Sequence, residues 1–231
     1  MTRLGLALAL TVGLASTPAP AVDCALGGCI DVSRLPKSQA VDWRDLVARA
    51  QRFFGVSANA YIVSSSAMRA SLPYMLPRQA AVSVDQIHIP EIYHAQIEAQ
   101  HVGERHFVWH YIIGHEMAHG YQYRLRLVEA MSGPFDSVVA AELHADFLAG
   151  FFIAREYGLE VAAIDQLLRE ITRLPTGKPG DRQYHGEPTQ RFFIAMQGAL
   201  YALKRPTPSR EDASAKGLEL AFDLAPNPIA N

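Results

Sequence analysis

The chain has 231 residues, 21 basic and 23 acidic, and a formal net charge of −2. With neither sign strongly clustered, nothing points to a phosphate-backbone partner, and no nucleic acid is expected. Without an N-terminal leader, about 210 residues remain, enough for one domain with its own core.

The chain opens as an export signal. Arg3 supplies a basic start, Leu4 to Ala15 an apolar run, and Ala19-Pro20-Ala21 a small-residue cleavage pattern. Residues 1–21 are therefore expected to be removed and the mature protein to be periplasmic or secreted. The run is shorter than the about 20 apolar residues a bilayer span needs, and no later stretch qualifies, so no stable membrane span is expected. Val22-Asp23 ahead of Cys24 fits a lipidation box poorly. Cys24 and Cys29, the only cysteines, could close a small disulfide loop in an oxidising compartment. They could instead ligate a metal, but two thiols with no nearby histidine make an incomplete site.

Residues 22–40 read as an irregular arm. Asp42 can cap a helix whose apolar stripe is Trp43, Leu46, Val47, Ala50 and Phe54, and Gly55 stops it. Tyr61 to Val63 reads as a strand. Ala80 to Val84 and Ile87 to Ile89 read as two more, joined around Asp85-Gln86 and closed by Pro90. A long helix is expected from about Gly103 to Met131, broken at Gly133-Pro134. Asp136 or Ser137 would cap the next, which runs to Tyr157 and ends at Gly158. A third spans roughly Leu159 to Leu174, and a polar loop covers 176–184. The last helix runs from Pro188 to Lys204. Residues 205–231, with four prolines, read as an extended or partly disordered tail. The expected fold is α+β: one mainly helical domain over 41–204, with a small sheet preceding the long helix.

That helix carries His115-Glu116-Met117-Ala118-His119. Four residues advance a helix by about one turn, so both imidazoles leave the same face and can grip one zinc ion. Glu116 follows the first ligand, placed to take a proton from water without occupying the metal. A catalytic zinc normally has three protein ligands. The best third candidate is Glu142, in Glu142-Leu143-His144-Ala145-Asp146, brought back by a helix–turn–helix return. Asp146, one turn further, would accept the free N–H of a ligating imidazole and fix its tautomer. Read alone, Glu142 is an ordinary solvent-facing or salt-bridged glutamate; the upstream motif favours ligation. His144, on another face, reads as a surface or supporting residue.

The other histidines are weaker candidates. His106 and His110 repeat the four-residue spacing but lack the glutamate, and His88, His94 and His101 have no partner spacing. All five read as structural or solvated. His185, in Tyr184-His185-Gly186-Glu187, is either a loop histidine or a residue that reaches the cleft to stabilise developing charge, with Tyr184 as a helper.

The combination resembles the gluzincin zinc metallopeptidases, in which H-E-x-x-H is completed by a glutamate on a later helix. More narrowly it resembles the bacterial neutral zinc metallopeptidase family. Asp85-Gln86-Ile87-His88-Ile89 is similar to that family's strand before the active helix, and Ile113 to His119 to its metal helix. Glu142 to Gly150 is similar to its E-L-Q-A-D-C-x-A-G segment, with His144 in place of Gln and Phe147 in place of Cys. A weaker likeness links His185-Gly186 and Gln190-Arg191 to an H-G-x-x-x-Q-R stretch. The likeness covers roughly residues 60–200.

By resemblance, the fold is a minimal zincin domain, His115, His119 and Glu142 ligate zinc, Glu116 is the general base, and Asp146 supports a ligand. The implied reaction is hydrolysis of a peptide or protein substrate by a zinc-activated water. The strand at Gln86 to Ile89 is expected to line the cleft and to pair with an extended substrate. Two other readings stay open: a non-catalytic peptide-binding or scaffold protein that kept the fold, and a zinc hydrolase of a non-peptide amide.

Overall fold

The computed structural model describes residues 29–35, 41–64, 73–76, 85–100, 105–135, 138–171, 184, 186–204 and 206–225. Among these, the chain order is β1 (Cys29–Asp31), a 3₁₀ turn (Val32–Arg34), α1 (Trp43–Phe54), β2 (Ala58–Val63), β3 (Tyr74–Leu76), β4 (Asp85–Pro90) and α2 (Glu91–Gln100). There follow α3 (Arg105–Arg124), α4 (Leu127–Phe135), α5 (Val139–Tyr157), α6 (Val161–Ile171), α7 (Pro188–Ala202) and α8 (Arg210–Leu224). Eight helices beside one four-stranded mixed sheet make the α+β class. The leader, Cys24 and Ala80 to Val84 lie outside the described residues. Cys29 is disulfide-bonded.

α1 follows its local signals. Asp42 accepts a hydrogen bond from the Asp45 amide, Trp43, Leu46, Ala50 and Phe54 are buried, and Gly55 ends the helix at φ 64°. The sheet order is β1-β2-β4-β3, with β2 and β4 parallel from Ala58↔Asp85 to Val63↔Pro90 and both edge strands antiparallel. Two expectations are corrected here. Asp85-Gln86 is no joint: it lies inside β4, held extended by its parallel register with β2. β4 has β2 along one side and β3 along the other from Gln86 to His88, so those three residues present no free edge to a substrate strand.

The helices depart from expectation in three places. The long helix breaks at Leu125-Arg126, where Arg126 adopts φ 56°, and α4 then runs through Gly133-Pro134 to Phe135. The Leu125 and Arg126 amides close the end of α3 on the Tyr121 and Tyr123 carbonyls, so no glycine or proline is needed for the break. α2, which buries Tyr93 and Ile97 four residues apart, was not anticipated. The expected tail over 205–231 contains a fifteen-residue helix, α8. Ser209 caps it by a reciprocal bond pair with Asp212, and it buries Ala213, Ser214, Gly217 and Ala221.

α5 is the central rod. From Val139 to Ala154 every residue except Glu142 is buried, and α5 packs on α3, α7 and α8. The contact with α7 is the largest, and there a Cβ on Gly150 would lie 2.0 Å from the Ala195 carbonyl oxygen and one on Gly198 1.9 Å from that of Phe147. No helix among the described residues is long and apolar enough to cross a membrane.

Candidate metal centre

α3 and α5 bring three donors to one point. His115 Nε2 lies 3.1 Å from His119 Nε2 and 3.2 Å from Glu142 Oε2, and His119 Nε2 lies 3.5 Å from Glu142 Oε2. These residues form a group that could hold a metal ion. The separations test the fit. A tetrahedral ion with bonds of about 2.0–2.2 Å has ligand–ligand edges of roughly 3.3–3.6 Å, close to the three observed. Two imidazoles and one carboxylate also form a donor set of borderline softness that suits zinc. Glu142 is the one partly exposed residue in its stretch of α5 because its side chain leaves the core for this group.

The electrostatics point the same way. Burial alone would depress the His115 imidazolium, but Asp146 and Glu142 beside it push its pKa up to about 10. His119 is likewise raised, Glu142 overcoming the desolvation. Without a metal, the carboxylates hold protons on the rings that a cation would displace. Glu116, between the two histidines in sequence, is buried, and its Oε2 has no hydrogen-bond partner among the described residues. An unsatisfied buried carboxylate oxygen is costly, and this one adjoins the group that could bind a cation and water.

Each histidine is held from behind. His115 donates Nδ1–H to Asp146 Oδ1 at 2.8 Å. Asp146 is fully buried, and three further bonds satisfy it: Tyr111 donates its hydroxyl at 2.6 Å, and Arg191 on α7 donates Nε and Nη2 at 2.8 and 2.9 Å. Burial opposes its charge, but Arg191 and His115 prevail and hold the carboxyl far below the usual range. His119 Nδ1 meets Gln122 Oε1 at 2.9 Å. Sequence reasoning gave no role to Tyr111, Gln122 or Arg191. Helical spacing offered a signal for two of them, since Tyr111 precedes His115 by four residues and Gln122 follows His119 by three.

The remaining histidines are placed as follows. His144 is neither a ligand nor on the surface: it is buried between Gln122 and Ser214, and burial pushes its pKa down to about 4. His88, buried in the sheet, bonds Tyr74 and Gln86. His94 stacks on Trp109, and His110 packs edge-on against Tyr157. His101, the side chain of His106, and His185 lie outside the described residues. Beside His185, Tyr184 donates its hydroxyl to Glu187 at 2.6 Å, and a Cβ on Gly186 would lie 3.5 Å from Val139 and 3.8 Å from Leu143 on α5.

Among known proteins, no family model, no curated protein and no solved structure matches this chain. The likeness to gluzincins therefore rests on the motifs themselves.

Proposed function

We propose that the protein is an exported zinc metallopeptidase of gluzincin type that hydrolyses peptide bonds in a peptide or protein substrate. One observation carries the reading: His115, His119 and Glu142 converge at zinc-like separations, and Glu116, next to His115 in the chain, is buried with an Oε2 that has no hydrogen-bond partner among the described residues. His115, His119 and Glu142 would hold the ion. When bound, zinc supplies Lewis acidity that acidifies water and polarises a carbonyl.

The remaining work falls to the chain. Glu116 Oε2, free of competing bonds, accepts a proton from the attacking water and returns it to the leaving amine nitrogen. Asp146 and Gln122 keep the ring protons on the far side of each imidazole, so that both Nε2 lone pairs face inward. His185 is the candidate for stabilising developing negative charge, its alternative role being that of a loop histidine. A structural metal site needs no base, so the glutamate at 116 favours catalysis over a scaffold role.

The test is zinc quantitation paired with proteomic cleavage profiling of wild type and Glu116→Gln. The variant should retain zinc and lose turnover. Cleavage by the variant at the wild-type rate refutes the mechanism, and a wild type that holds no zinc refutes the proposal.

A further inference from the structure

The hydrogen bonds behind His119 continue through two more helices. Gln122 Nε2 donates to the Ala141 carbonyl at 2.8 Å and meets His144 Nδ1 at 2.9 Å. His144 Nε2 lies 3.1 Å from the Ser214 carbonyl on α8 and 3.2 Å from the Ser214 hydroxyl. Gln122, His144 and Ser214 are all buried, so water does not compete for these groups.

The direction of every proton follows from the two carbonyls, which only accept. Ser214 O takes the proton of His144 Nε2, which leaves Nδ1 of the neutral ring bare. That bare nitrogen takes one Gln122 amide hydrogen and Ala141 O takes the other. With both hydrogens committed, Gln122 must turn Oε1 toward His119 and accept from its Nδ1–H. A neutral imidazole protonated at Nδ1 carries its lone pair on Nε2, the atom that faces His115 and Glu142. α8 reaches His144 only because it is narrow at this point: a Cβ on Gly217 would come within 3.0 Å of His144 Cδ2 and 2.8 Å of Phe147 Cδ1.

We propose that Gln122 and His144 are positioning residues that, anchored on the Ser214 carbonyl of α8, fix His119 in the Nδ1–H tautomer and present its bare Nε2 to the metal. The inference rests on reading His115, His119 and Glu142 as a zinc site. It brings the C-terminal helix into the support of a metal ligand.

Two measurements test it. Long-range ¹H–¹⁵N correlation on protein labelled at histidine separates protonated from bare ring nitrogens. His144 should carry its proton on Nε2 with or without zinc, and zinc-bound His119 should carry its proton on Nδ1. The opposite tautomer at either ring overturns the relay. Zinc affinity is then read by competition with a chromophoric chelator. Gln122→Met and His144→Leu should each weaken binding about 10–100-fold. His144→Gln, whose amide can accept from Gln122 and donate to Ser214 O, should restore it. Wild-type affinity in Gln122→Met, or no rescue by His144→Gln, overturns the relay even if the fold is intact. A wild-type protein that binds no zinc refutes the metal reading instead, and the His144 tautomer then decides the relay alone.

Discussion

Asp146 is a carboxylate that water cannot reach, and its ionisation is sustained by Arg191 on one side and His115 on the other. Its two partners have different jobs. Arg191 supplies the compensating charge, and removing one member of a buried pair leaves the other uncompensated, typically at about 3–5 kcal/mol. Arg191→Met should therefore lower unfolding stability by about that amount in urea titrations; a loss under about 1 kcal/mol would place the compensation elsewhere. Asp146 in turn orients His115, one of the three candidate donors. Asp146→Asn should weaken zinc binding about 10–100-fold by chelator competition, and unchanged affinity would remove its supporting role. His115 gives a third outcome. Its pKa near 10 without metal means that zinc must displace a proton at any lower pH. Apparent zinc affinity should rise by at least about tenfold per pH unit between roughly pH 7 and 9, with proton release visible by calorimetry in buffers of different ionisation enthalpy. A pH-independent affinity would show that the imidazole is already bare.

At the level of elements, the closest packing lies between α5 and α7, where each helix presents a glycine to the other's backbone. No side-chain adjustment relieves a Cβ placed about 2 Å from a carbonyl oxygen, so the helices would have to separate. Gly198→Ala is expected to cost about 3 kcal/mol or more, measured by urea unfolding; a neutral result would mean that the pair can slide apart freely. This contact also explains which elements could be read from sequence. α1 announces itself with a cap, a stripe of large apolar residues and a terminal glycine. α8 buries Ala213, Ser214, Gly217 and Ala221, whose small or polar side chains leave no apolar period to notice. β1 and β3 have three residues each and owe their form to the strands they pair with, β2 and β4, rather than to a pattern of their own. The candidate metal donors were legible because ligation would fix residue type and helical spacing together. Arg191 and Gln122 were not, since a polar side chain reads as solvated until a neighbouring helix encloses it.

Over the whole molecule, buried imidazoles impose opposite pH dependences that leave a narrow optimum. His88 in the sheet and His144 on α5 are both pushed down to about 4 by burial, from an ordinary 6.5. The unfolded chain binds those protons more readily than the folded one. Their neutral forms therefore contribute stability in full above about pH 6.5, and it is lost as pH falls toward 4. His115 behaves in reverse. Its raised pKa in the metal-free protein contributes stability below about 6.5 that is lost as pH rises toward 10. The metal-free protein should thus be most stable between these limbs, near neutrality. On the proposed reading, a zinc ion would bind the form of His115 that has lost its proton, so saturating zinc should lift the alkaline limb. The acid limb should persist, because neither His88 nor His144 belongs to the candidate donor group and protons would displace zinc there. Urea midpoints from pH 4 to 10, with zinc and with chelator, give the two curves directly. His88→Gln, which keeps a polar group beside Tyr74 and Gln86 but cannot titrate, should flatten the acid limb relative to its own neutral-pH value. If the curves with and without zinc instead coincide at alkaline pH, the proton on His115 and the metal are not competing for one nitrogen.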